Sequence, residues 1–273
     1  MCIRDRNIDG LGIAGDFNAF ICDDFTSRFS DSHGRLAVGG NVTIDSYGVA
    51  TRLQSQPETP TLIVGGDLSY GKGKIFVGSG VVGGSIEEVN ETVVFGLEEG
   101  ASVTGNQPVP IDFEAEFNGY RQLSSNLALA SQTGTVEYKF GGIFIEGDCS
   151  SETQVFNLDG AIVLSSNHFN FTCVPSESTI IFNIDGQTAG FKNIELGQLR
   201  NQRERILYNF HQADTIELTH VGIEGSVLAP NAHFDNPRGQ INGTIIGKSW
   251  DGPMELHDVQ FTGSLESLLN NSQ

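Results

Sequence analysis

Basic residues are scarce in this chain. Lys and Arg number 15 against 34 Asp and Glu, a formal net charge of −19. A phosphate backbone needs a cationic surface, so the composition argues strongly against nucleic acid as a partner. It argues equally against an anionic bilayer surface. Long apolar runs are also missing. No stretch approaches the roughly 20 residues of a membrane-spanning helix, so no membrane insertion is expected. Cysteine occurs only at Cys2, Cys22, Cys149 and Cys173, too few for a disulfide-built scaffold of this length. No Cys-x-x-Cys is present, which leaves a zinc or redox centre without support. Charged residues make up only 18% of the chain and apolar ones 38%, enough to build a core and to argue against disorder.

Glycine is abundant, at 34 residues, without the strict third-position period of collagen. Set among Val, Ile, Thr and Phe, it indicates many short strands joined by tight turns. Internal repeats organise these strands. Val38-Gly39-Gly40-Asn41-Val42 recurs as Val64-Gly65-Gly66-Asp67-Leu68. Phe156-Asn157-Leu158-Asp159-Gly160 recurs as Phe182-Asn183-Ile184-Asp185-Gly186 at the same offset. Ile223-Glu224-Gly225-Ser226-Val227-Leu228-Ala229 recurs at a shorter one, as Ile241-Asn242-Gly243-Thr244-Ile245-Ile246-Gly247. Each unit is too small to bury its own apolar face, and stacking the units builds a continuous core. The expected fold is therefore mainly β: an irregular β-solenoid whose coils differ in length.

One segment breaks the β pattern. Phe113, Phe117, Tyr120, Leu123 and Leu127 fall at helical spacing between Asp112, a suitable N-cap, and Gly134. A helix over 112–131 is expected, packed along the solenoid flank, with Ser124, Ser125 and Asn126 facing mostly elsewhere. A second, short helical candidate covers Leu199 to Leu207. No linker divides the chain, so 7–266 is expected to form one domain followed by a tail at 267–273. Residues 1–6, Met1-Cys2-Ile3-Arg4-Asp5-Arg6, read like a translated sequencing adapter and are expected to be non-native. No export signal is visible, and the expectation is that export and anchoring segments have been truncated.

Further motifs carry a family resemblance. Leu11-Gly12-Ile13-Ala14, Phe17-Asn18-Ala19-Phe20 and Gly34-Arg35-Leu36-Ala37-Val38-Gly39-Gly40-Asn41-Val42 resemble the opening of choice-of-anchor A domains. Tyr208-Asn209-Phe210 with Ala213 is similar to a later stretch of that family. Gly225-Ser226-Val227-Leu228-Ala229-Pro230-Asn231-Ala232 followed by Gly239-Gln240-Ile241-Asn242-Gly243 is the most specific block. The resemblance runs from about Leu11 to Leu265. It implies an extracellular bacterial domain of adhesin type, found ahead of varied C-terminal anchors. It supplies no catalytic or ligand residues to carry over.

Several local patterns mimic sites. Gly78-Ser79-Gly80-Val81-Val82-Gly83 has dinucleotide-binding spacing, but that chemistry needs a helix N-terminus at the pyrophosphate. The downstream segment, through Thr92-Val93-Val94-Phe95, reads as strand. Gly66 to Gly73 nearly fits a phosphate loop but places Gly73 where the magnesium-binding hydroxyl belongs. The histidines His33, His168, His211, His220, His233 and His257 show no metal spacing, although His257 can contact Glu255 locally. Asp159-Gly160 and Asp185-Gly186 read as turns, with no dedicated calcium loop. Cys149 and Cys173 can pair in an oxidising compartment or remain as two buried thiols.

Function therefore rests on binding and not on chemistry: no catalytic residues, no metal and no cofactor are assigned. The leading expectation is a secreted or cell-surface adhesin-like module for an extracellular protein or glycan. Ice binding is the alternative, since some ice-binding proteins combine an irregular solenoid with one flanking helix. It requires a flat Thr-rich face, and Thr43, Thr61, Thr92 and Thr244 fall in unlike contexts. A carbohydrate-active solenoid enzyme is the third reading, requiring paired carboxylates in a groove.

Overall fold

The computed structural model describes residues 10–269. The expectations for residues 1–6, and for 270–273 of the tail, lie outside the described residues. The chain forms an irregular β-solenoid of three faces with one long α-helix along its flank.

On the first face, parallel strands stack in an order that does not follow the chain. Thr153–Leu158, Thr179–Ile184, Ile206–Asn209, the start of Ser226–Asp235 and the start of Ile245–Asp251 form one run. Ala19–Ile21, Leu36–Val38, Pro60–Val64, Ser79–Val82 and Val103–Thr104 continue it. The seam joins Ala19 to Ile245 on one side and to Leu36 on the other. The chain thus begins in mid-stack, builds to one end, returns along the flank, and builds back until its last coils meet its first.

The repeats seen in the sequence are the register of this stack. Val38 pairs with Val64, Phe156 with Phe182, Ile223 with Ile241 and Val227 with Ile245. The first repeat continues into Val82-Gly83-Gly84, paired through Val64–Val82, a coil that repeat matching misses because its length changes. Gly39, Gly65 and Gly83 are required by close approach of backbones. A Cβ on Gly65 would strike the Gly39 carbonyl, and one on Gly83 would strike that of Gly65. The adjoining polar residue then bonds to the next coil: Asn41 Oδ1 accepts from the Asp67 amide at 2.8 Å, and Asp67 Oδ1 from that of Ser85 at 2.7 Å.

The interior is aliphatic and aromatic. Phe156, Phe182 and Tyr208 occupy successive coils with ring centroids 5.8 and 5.2 Å apart. Phe25 and Trp250 stack across the seam at 5.9 Å, so the two half-stacks share one apolar core. Burial of this kind is the main stabilising term, at about 25 cal/mol per Å².

The flanking helix is Phe113–Ala128. Asp112 caps it, its Oδ1 accepting from the Ala115 amide at 3.0 Å. Phe117, Tyr120 and Leu127 are buried against Phe20, Ala37, Ile181, Leu207, Leu228 and Ile246, which point outward from the first face. Its 16 residues reach about 24 Å at 1.5 Å each, about the height of five strand spacings. That is the climb from the Ala37 coil to the Asn183 coil.

Ser124 corrects one expectation. It faces inward and is buried, because Asn157, Asn183 and Asn209 make a ladder on consecutive coils that needs polar partners from the helix. Asn209 Nδ2 donates to Asn183 Oδ1 at 2.8 Å and to the Ser124 carbonyl at 2.9 Å. The Ser124 hydroxyl donates back to Asn209 Oδ1 at 2.5 Å. Asn183 Nδ2 donates to the Leu127 carbonyl at 2.8 Å. The ladder thereby ties two carbonyls of the helix's C-terminal half, Ser124 and Leu127, to the coils beneath it.

Three further expectations change. The segment at 199–207 forms a 3₁₀ helix, Gly197–Arg205, and Leu207 belongs to the next strand. Three residues per turn eclipse positions three apart, which brings Arg200 and Arg203 together on buried Glu224 at 3.3 and 3.6 Å. Thr92 to Phe95 is helical, in Glu91–Phe95, because Asn90 caps it by accepting from the Thr92 amide at 2.9 Å. Asp159-Gly160 is a helix start in place of a turn. Asp159 accepts from the Ile162 amide at 3.0 Å, whereas Gly186 does turn the chain at φ +92°.

Candidate functional site

Two of the three faces are left open. The second face runs through Thr188–Lys192, Thr215–Glu224, the end of Ser226–Asp235, the end of Ile245–Asp251, Phe25–Asp31, Val42–Val49 and Leu68–Tyr70. Period-two alternation turns Phe234, Trp250, Phe25, Val42 and Leu68 inward. The outward column in the same strands reads Asp235, Asp251, Thr26, Thr43, Ser69 and Glu88, in register from coil to coil. Three hydroxyl residues on adjacent coils are thus bounded by carboxylates at both ends.

The third face carries a lateral polar chain. Glu224 pairs with Asn242, and Asn242 with His257. His257 Nδ1 lies 2.9 Å from Asn242 Oδ1 and Nε2 lies 3.4 Å from Glu255. The rings of His257 and His33 stack at 4.3 Å. Burial and the neighbouring His257 hold the His33 pKa below its ordinary value, against the opposing pull of Asp31. Glu224 is the buried carboxylate among the described residues, and its two arginines neutralise it. No group of three or more His, Cys, Asp or Glu side chains converges as a metal site among the described residues.

The corner where these faces meet holds a groove of about 760 Å³. Three neighbouring coils build it. The middle one turns through Gly252-Pro253, which raises no long side chain. On one side stand Asn236 and Arg238, on the other Arg28 and Phe29. The outer coils are two strand spacings apart, roughly 10 Å, so the floor is a saddle between two arginines. Thr26 and Asp251 complete the wall, and the Gly252 amide donates to the Thr26 carbonyl at 3.0 Å. Phe29 is 78% exposed and has φ +56°, a conformation that bulky residues rarely adopt.

None of these groove residues stands out in the sequence. Asn236-Pro237 and Gly252-Pro253 are the turn signals that mark the corner, but they do not say that the corners stack.

The residues that do stand out in the sequence lie apart. Cys149 and Cys173 are joined by a disulfide with Cα atoms 4.6 Å apart. It ties the loops after Gly142–Glu146 and His168–Thr172, two parallel strands of a small sheet at one end of the solenoid. Gly78 to Gly83 contains the strand Ser79–Val82 and opens no helix. Lys74 lies over the Phe76 ring at 5.3 Å. His233 contacts Ser249 at 2.8 Å and His220 contacts Asn193 at 3.2 Å.

A family model described as "Putative Ice-binding-like adhesive domain" matches residues 10–258. Among solved structures, the chain is similar to an ice-binding protein from the Antarctic ascomycete Antarctomyces psychrotrophicus. The two share 14% identity over 90% of this chain and 96% of that one, with a TM-score of 0.33. No curated protein matches the chain. Among the described residues, no helix is long and apolar enough to cross a membrane.

Proposed function

This chain belongs to the ice-binding-like adhesive domain family, and from that premise we propose that it is an extracellular or cell-surface adhesive module without catalytic activity. Its solenoid is a rigid mount that presents two polar faces and their shared corner to an external protein or glycan. The observation that carries this reading is the asymmetry of the prism: one face is sealed by the helix, while the outward column of another ends in exposed Asp235, Asp251 and Glu88. A charged, hydrogen-bonding surface suits a polar partner more than a flat lattice. The choice-of-anchor A resemblance is the finer form of the same proposal, as is a single domain over 7–266. The Cys149–Cys173 disulfide fits an oxidising compartment. The buried acid Glu224 is taken up in ion pairs with Arg200 and Arg203, which supports a structural place for it in this reading.

The test is binding of the purified chain to arrays of extracellular proteins and glycans. Saturable binding to a member of either class supports the proposal, and failure on every surface refutes it.

Ice binding is retained as a second reading because Thr26, Thr43 and Ser69 are in register on adjacent coils. A repeat of about 4.8 Å between hydroxyls is the kind of spacing a lattice could meet, although carboxylates interrupt it on both sides. Thermal hysteresis and faceted crystals at micromolar protein would favour this reading. Their absence would remove it.

A further inference from the structure

We propose that the corner groove is a subsite for a carboxylate-bearing saccharide. The inference rests on the adhesive reading and deepens it by naming a ligand class.

The first observation is electrostatic. The chain carries −19 overall, yet both walls of this groove place an exposed arginine at the rim. Most other described arginines are engaged. Arg35 donates to the Pro60 carbonyl, Arg121 to Asn231, Arg200 to Glu224 and Arg205 to Glu177, while Arg203 pairs with Glu224. Arg28 and Arg238 make no side-chain hydrogen bond or ion pair among the described residues. Arg28 faces Asp45 across the strand pair without forming an ion pair with it. Two guanidiniums left with open donor forks, on opposite sides of one depression, match a planar carboxylate. Long-range repulsion from the other charges is screened beyond about 8 Å at physiological salt, whereas contact with a guanidinium is not.

The second observation selects a sugar over an acidic peptide. Phe29 projects at the rim, 78% exposed, and offers an apolar ring face on which a pyranose can stack. Thr26, Asn236 and Asp251 supply hydroxyl, amide and carboxylate groups around the same floor. Asp251 is acceptor-only when ionised, so it favours a ligand rich in hydroxyl donors and disfavours a run of carboxylates. The volume of about 760 Å³ falls within the range of small-ligand sites, about 300–1,000 Å³. The Gly252-Pro253 floor lets the ligand approach the backbone.

The experiment is isothermal titration calorimetry of the chain with trigalacturonate, sialyllactose, neutral maltotriose and triglutamate. Arg28→Gln, Arg238→Gln and Phe29→Ala are each compared with the parent. At least one of the two acidic sugars is expected to bind, at least tenfold more tightly than maltotriose and triglutamate. Either arginine substitution should weaken it at least tenfold, and the Phe29 substitution several-fold. All three side chains are exposed, and unchanged far-ultraviolet dichroism and melting temperature will establish that each variant is folded. Failure of both acidic sugars to bind overturns the inference, as does equal binding of triglutamate or maltotriose, or indifference to both arginine substitutions. If any of these occurs while the parent chain still binds an array partner, only the groove assignment fails. If the parent binds nothing on the arrays, the adhesive reading falls by itself.

Discussion

Replacing Asn209 by leucine tests what holds the helix to the solenoid. Leucine has a similar shape, so the change removes hydrogen bonds with little loss of volume. The Asn209 side chain is buried and makes three bonds, to the Ser124 carbonyl, the Ser124 hydroxyl and Asn183 Oδ1. Each is worth about 0.5–1.5 kcal/mol net, and each orphaned buried partner adds about 1–3 kcal/mol of desolvation. Partial relaxation lowers the sum, and a loss of about 3–5 kcal/mol is expected. The same substitution at exposed Asn157 removes a single 3.2 Å bond from Asn183 and should cost under about 1 kcal/mol. Urea unfolding followed by circular dichroism reads both. Equal effects at the two positions, or a loss below about 1 kcal/mol for Asn209→Leu, would refute the view that the ladder anchors the helix.

Gly119→Ala should stabilise the chain by about 0.5–1 kcal/mol, because a Cβ there meets nothing within 4 Å and glycine is a poor helix former; thermal melting checks it. Stability should fall as pH drops below about 6.5. The pKa values of His33 and His211 are depressed in the folded chain, chiefly by burial, so the unfolded state takes up protons first. The stabilising contribution is present above the unfolded value and lost as pH falls through the folded one. Asp258, raised by burial, acts in the opposite sense at lower pH. Urea midpoints at pH 8 and pH 5.5 should show the difference, and His33→Gln should reduce it. Reduction of the Cys149–Cys173 bond, with its sequence separation of 24, should cost about 3 kcal/mol, read as a lower urea midpoint in dithiothreitol.

The solenoid was legible because its signal is periodic and local. The Val-Gly-Gly and Phe-Asn-Leu repeats and the Phe113 to Leu127 stripe are the register and the flanking helix themselves. The order of stacking was not legible. Pairing of Ala19 with Ile245 joins distant parts of the chain, and no local spacing encodes it. The inward turn of Ser124 was missed for the same reason, since its partner Asn209 lies 85 positions away. Thr92 to Phe95 was misread because β-branched residues suggest strand, while the cap at Asn90 decides the backbone. The groove stayed hidden because each arginine looks like an ordinary surface charge until three separate turns are stacked.

The most direct measurement is retention, under flow, of beads coated with the chain on a surface bearing its array partner. Lysine is substituted at Thr43 on an open face and, separately, at Gln122 on the long helix. If the open faces carry adhesion, Thr43→Lys lowers the retained fraction several-fold and Gln122→Lys leaves it unchanged. Loss of retention with Gln122→Lys and not with Thr43→Lys would place binding on the helix side and contradict the account.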